Sequence, residues 1–235
     1  MAADPAPYEL PDERVAAAWS RLVGEHLLVE EGLEPAFARR LRAEGVERFA
    51  EMGSSVGPIS LQLALDDIDC VCLDLTPPPD CWRPMVQADL RAPAMRPGAL
   101  DAVSQVNCLY FLGDPVEGIR AAHDLLRPGG LYLGAAPSRY HDPELRHVLP
   151  DWGAPSPFDA EEAAGLVAQV FGDVEVEWWS EPVYRLPDRA AVVDYLVAFK
   201  VPDAEERAAA VPVPTDVTKS GVNVWARRHR TSSTS

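Results

Sequence analysis

Apolar positions recur along this chain with two periods that take turns. Within PDERVAAAWSRLVGEHLL, Val15, Trp19, Leu22 and Leu27 stand near helical spacing, and EPAFARRLRAEG carries a second helical pattern that Gly45 stops. From residue 46 onward, strands are expected over 46–52, 68–73, 85–88, 100–106, 131–136 and 174–178, with helices over 59–65, 116–126 and 160–171. DRAAVVDYLVAF adds a helix whose face of Val192, Tyr195, Leu196 and Phe199 covers either a pocket or the sheet, and VNVWARR closes the chain as a last strand. Such alternation predicts an α/β sandwich, a parallel sheet covered by helices on both faces.

Composition narrows the ligand class. The 235 residues are 47% hydrophobic and 25% charged, enough apolar material for one sizeable core. A formal charge of −16 opposes binding to nucleic acid or to an anionic membrane, and the basic cluster Arg227-Arg228-His229-Arg230 reads as a solvated terminus. Small molecules are therefore the expected substrates, with a homo-oligomer or protein partner left open. No apolar run approaches the roughly 20 residues that span a bilayer, and MAADPAPYEL has no signal-peptide pattern, so a cytoplasmic location is expected. Cys70, Cys72, Cys81 and Cys108 lie in or beside strands without a C-x-x-C pair, which makes them buried thiols. His141, Asp142, Glu144 and His147 are interrupted by Pro143 and lack the spacing of a metal site, so no metal is expected.

In a sheet of this kind, ligands bind beyond the carboxyl ends of the strands, near the point where strand order reverses. Glu51, Gly53, Ser54, Ser55 and Gly57 follow the first strand, Asp74 and Leu75 the second, Asp89 and Leu90 the third, and Asn107 the fourth. Gly53 lets the backbone approach a ligand, and Gly57 lets the next helix pack closely with its N-terminal amides toward the site. An ionised Asp74 offers two acceptor oxygens to a ribose, and Asp89 can accept from an adenine amino group.

In their order, EMGSSVG, CLDL, ADL, LDAVSQVNCLYFL and DLLRPGGLYL resemble the class I S-adenosylmethionine-dependent methyltransferases, closely over residues 46–136 and loosely beyond. The resemblance implies a Rossmann-like, mainly parallel seven-stranded sheet with an antiparallel last strand, with S-adenosylmethionine as cofactor and S-adenosylhomocysteine as product. It implies that the turn around Gly53 and Gly57 lies under the methionine part, that Asp74 holds the ribose and that Asp89 reads adenine. LLRPGG becomes a structural turn before the fifth strand. A dinucleotide-binding dehydrogenase also places an acid about 20 residues after its first glycine, but it needs G-x-G-x-x-G where this chain has GSSVGP.

The chain departs from the family pattern twice. Ser55 stands at the loop's middle glycine, placing a small side chain where backbone meets the methionine moiety. In LTPPPDCW, three prolines after Asp74 favour an extended rim over a helix start.

Methyl transfer needs alignment first and often a base second. His141, just beyond the fifth strand in APSRYHDPEL, is the base candidate because histidine titrates near neutrality, and Tyr110 lies on the same substrate side. His123 falls on the apolar face of its helix and reads as packed. Trp152, Trp178, Trp179 and Tyr184 are either an aromatic lining or core.

The expected organisation is an N-terminal helical cap over 1–45, a cofactor-binding core over 46–179, a helical insertion over 180–220 serving as a substrate lid, and a final strand with a disordered tail over 221–235. The function expected is methylation of a small molecule, and the resemblance points to a specialised metabolite. The alternatives are an elimination or cyclisation on the same fold and a noncatalytic partner-binding subunit.

Overall fold

The computed structural model describes residues 12–29 and 32–229; the expected disordered tail beyond residue 229 and the N-terminal MAADPAPYEL lie outside the described residues. The strands are β1 (Arg48–Met52), β2 (Asp69–Asp74), β3 (Met85–Gln87), β4 (Leu100–Val106), β5 (Leu126–Pro137), β6 (Val174–Leu186) and β7 (Thr215–Arg227). They form one seven-stranded sheet in the order β3-β2-β1-β4-β5-β7-β6. β7 runs antiparallel to both its neighbours, and the β1, β2, β3, β4 and β5 pairings are parallel. Strand order reverses between β1 and β4, so Gly53 and Asn107 emerge side by side at the switch point.

The helices are α1 (Glu13–Glu25), α2 (Leu33–Ala43), α3 (Pro58–Leu63), α4 (Pro115–Leu125), α5 (Ala160–Phe171), α6 (Arg189–Ala198) and α7 (Ala204–Ala208). Their starts are built by short acids: Asp12, Asp114 and Asp188 accept from Val15, Val116 and Ala191 amides at 2.8, 2.9 and 3.0 Å. One face of the sheet packs on α4 and α5 through Ile119, Ala122, Val167 and Phe171, and the other packs on α2 and α3 through Phe37, Leu41, Ile59 and Leu63. His123 joins the first of these layers, its ring centroid 5.1 Å from that of Phe171. None of the helices over the described residues is long and apolar enough to cross a membrane.

The two N-terminal helices, both within residues 1–45, part company. α2 packs on the sheet, whereas Val15, Ala18 and Leu22 of α1 join a separate apolar cluster with α6, α7 and the outer parts of β6 and β7. Burying a leucine such as Leu22 stabilises that docking by about 2 kcal/mol. Backbone bonds from Leu28 to Val183 and from Arg185 to His26 tie the end of α1 to β6.

Residues 180–220 hold both strand and helix. β6 continues to Leu186 and β7 begins at Thr215, so residues 187–214 hold the helices, and residues 180–186 and 215–220 form a ribbon. Because Gly221 pairs with Pro137 at the end of β5, this ribbon projects past the carboxyl edge of the sheet. The second cluster sits on it and takes in Leu145 and Val148, which anchors the chain leaving β5.

Candidate functional site

The turn after β1 is held almost entirely by its own backbone. Gly53 and Ser54 donate to the carbonyl of Leu73 at 2.7 and 3.1 Å, and Gly57 donates to Ser54 at 2.8 Å. Gly53 has φ +68, and a Cβ there would lie 2.5 Å from Cβ of Cys108 and 3.7 Å from Leu90. Only glycine fits, so β1, β4 and the segment after β3 meet at this point. Gly57, at φ +79, faces Cys72 and Trp82 at similarly short range. The proline-rich rim folds back here, with the Trp82 amide donating to the Val56 carbonyl at 2.8 Å.

Ser55 occupies a left-handed conformation with φ 49, so the chain keeps a glycine-like geometry at that position without a glycine. Its amide donates to Oδ2 of Asp74 at 2.8 Å, and the Thr76 amide donates to Oδ1 at 2.9 Å. Asp74 thus clamps the loop. An ionised carboxylate has about four acceptor positions, so roughly half its capacity is left for a ribose.

Glu51 is buried beneath the turn's following helix. It accepts from Ile59 and Ser60 amides at 3.2 and 2.7 Å and therefore caps α3; burial pushes its carboxyl up to about 7 against those stabilising bonds. Asp89 is engaged as well. Arg91 grips it through Nε at 3.0 Å and Nη2 at 2.7 Å, and the bonds to Arg91 hold the carboxyl below its usual range. Leu75 and Asn107 are exposed, and Asn107, at φ 51, donates its amide to Ala135. Ser54 is buried under the turn. The geometry therefore fits an adenosine-bearing cofactor at Gly53, Asp74, Leu75 and Leu90, while Asp89 faces its own arginine. The four cysteines are buried free thiols. Burial raises Cys72 to about 11 and Cys108 further, so both are inert packing groups beside the glycines. Among the described residues no group of three or more histidine, cysteine or acidic side chains is placed to hold a metal.

His141 lies on the segment leaving β5, which bonds to β7 through Ser138 to Ser220 and Asp142 to Thr218, whereas Tyr110 follows β4 on the other side of β5. The Tyr110 ring packs against the exposed Phe111 with centroids 4.6 Å apart and planes tilted by 55°. Nδ1 of His141 is 2.7 Å from Oδ2 of Asp142, whose side chain is 2% exposed. The contact lies off the ring's N–H axis, which leaves Nδ1 without an aligned bond.

Oδ2 of Asp142 also accepts from Tyr195 at 2.7 Å and from Lys219 at 2.9 Å. Burial drives the Asp142 carboxyl upward, but His141, Lys219 and Tyr195 together hold it below its ordinary value. Lys219 was not among the sequence candidates. Strand periodicity contains the signal, since Lys219 shares a β7 face with buried Val217 and is one of two lysines in the chain.

The aromatic residues divide. Trp152 donates to the His141 carbonyl at 2.8 Å and packs edge-on against Tyr140, whereas Tyr184 is buried under α1 and α6 and Trp178 is exposed.

No protein-family model matches the sequence. No curated protein sequence matches it significantly. Solved structures do resemble the fold. The YcgJ protein from Bacillus subtilis superposes with TM-score 0.61 at 10% identity, over 84% of this chain and 98% of its own. The [4+2]-cyclase SpnF gives TM-score 0.61 at 16% identity, over 92% and 94%. The Burkholderia thailandensis 1,6-didemethyltoxoflavin-N1-methyltransferase, with its substrate and S-adenosylhomocysteine bound, gives 0.51 at 15% identity, over 96% and 94%. With the strand order above, these likenesses establish the Rossmann-like methyltransferase fold.

Proposed function

We propose that this methyltransferase-fold chain is an S-adenosylmethionine-dependent enzyme that methylates a small molecule, of the specialised-metabolite kind, at a weakly acidic O–H or N–H group. One observation carries this: the Gly53–Asp74 turn and the His141–Asp142 pair leave the same carboxyl edge of one sheet. The bound cofactor would supply an electrophilic methyl group on a sulfonium. The Gly53 turn would seat its methionine end, with the remaining acceptor positions of Asp74 on the ribose and Leu75 and Leu90 beside adenine. His141 would take the acceptor's proton at Nε2, with the Asp142 carboxylate 2.7 Å from the opposite ring nitrogen. Tyr110 would line the acceptor from the neighbouring strand exit.

A second function has a specific observation in its favour. Asp89 is committed to Arg91, and a cyclase is among the similar folds, which supports an elimination or cyclisation that needs no methyl transfer. Incubation with methyl-labelled S-adenosylmethionine and a panel of phenols, enols and heteroaromatic amines separates the two. Label recovered in an acceptor, and lost in His141→Gln, is expected. Cofactor binding with no label transferred to any acceptor would favour the nonmethylating enzyme.

A further inference from the structure

Side chains from three separate parts of the chain meet at one buried oxygen. Asp142 follows β5, Tyr195 comes from α6 and Lys219 from β7, and the tyrosine hydroxyl and the ammonium both donate to the same Oδ2 that faces His141. Lys219 also donates to the Tyr195 hydroxyl and lies 3.8 Å above the centre of the Phe199 ring. The Asp142 backbone is fixed too, with φ 59 and its amide bonded to Thr218 at 2.8 Å. The other ionisable groups around this point are Tyr184 from β6 and Glu144 from the turn beyond Asp142; the latter is occupied by the Thr218 amide and hydroxyl.

We propose that Lys219 and Tyr195 are positioning residues that keep Asp142 ionised and fixed against Nδ1 of His141, so that the imidazole carries its proton on Nδ1 and presents Nε2 as the base. The catalytic consequence rests on the base role given to His141 above; the tautomer itself does not. Which ring nitrogen bears the proton is set by what the other nitrogen meets. A buried carboxylate stays charged only while opposite charge and donors compensate it. Without Lys219, Asp142 would lose its buried cationic partner, and with it the fixed charge that favours a proton on Nδ1 of His141. The unit of α6 and the β6–β7 ribbon would then govern the protonation geometry of the base as well as covering the site.

Long-range proton–nitrogen NMR on the uniformly labelled full chain reads the tautomer directly. The chain has five histidines, and His141 is identified by the signals missing from His141→Gln. Neutral His141 is expected to show a protonated Nδ1 and a bare Nε2. Lys219→Met should abolish that pattern, Lys219→Arg should restore it, and Tyr195→Phe, which removes a single hydroxyl, should weaken it even if Lys219→Met fails to fold. A wild-type His141 protonated on Nε2, or an unchanged pattern in every variant that folds, overturns the proposal. Failure to bind S-adenosylmethionine would count against the proposed function and leave this spectrum untouched.

Discussion

Ser55 shows how the loop tolerates its missing glycine. A left-handed backbone costs a non-glycine residue roughly 1–2 kcal/mol, and here the Asp74 clamp on the Ser55 amide offsets that cost. Ser55→Gly relieves the strain but gives back about 0.4–1 kcal/mol through the freer unfolded chain. Stability should therefore rise by less than about 1 kcal/mol in urea unfolding, with cofactor affinity unchanged. Ser55→Leu should block the methionine end yet still bind adenosine; a folded Ser55→Leu that binds the full cofactor normally would remove this loop from the site.

Glu51 makes a different prediction. Its folded pKa of about 7 stands above the ordinary 4.5, so between those values the folded state binds the extra proton and stability falls as pH rises. The contribution is on the order of 3 kcal/mol, present in full below the lower value and lost progressively as pH rises through the upper. Glu51→Gln should flatten that slope in unfolding curves taken from pH 4.5 to 8, and an unchanged slope would contradict the burial cause. The acid-x-glycine motif was legible because turns depend on backbone conformation, which residue type restricts. That Glu51 serves α3 and Asp89 serves Arg91 was not legible, since a carboxylate's partner depends on where the turn aims it.

Among the elements, β6 is the instructive miss. Its strand pattern reads clearly to Trp178 and then meets Pro182, which sequence rules demote; the structure places Pro182 at a register shift on the edge strand, where a missing amide is tolerated. β5 likewise starts before its expected bounds, because Leu126 already pairs with Leu100 and the RPGG turn sits inside an irregular strand.

The basic terminus also proved structural. Arg227 pairs with Glu44, and Nη1 of Arg228 reaches the carbonyls of His123, Asp124 and Leu126 at 3.2, 3.1 and 2.7 Å. It closes the C-terminal end of α4, where positive charge is favoured. Arg228→Ala should cost about 1–2 kcal/mol, the scale of charge-assisted hydrogen bonds, read as a lowered thermal midpoint. No change in the midpoint would show that water replaces it freely. Local pattern placed α4 itself, but this long-range cap depends on β7 ending beside it.

At the scale of the molecule, the sheet and the second apolar cluster do separate jobs. The sheet brings the ends of five parallel strands to one edge, and the cluster on the β6–β7 ribbon anchors the segment that carries His141. The α/β alternation and the strand-end acids were readable from periodicity; the joining of α1 to α6 was not, because an amphipathic face does not name its partner. The function proposed for the site depends on that edge holding S-adenosylmethionine. Isothermal calorimetry with S-adenosylmethionine and S-adenosylhomocysteine, on wild type and on Asp74→Ala, tests it most directly. Both ligands should bind the wild type, and the variant, still folded, should bind about 10- to 100-fold more weakly, the equivalent of about 1.5–3 kcal/mol. Absence of binding by either ligand at millimolar concentration, or an affinity untouched by loss of Asp74, would contradict it.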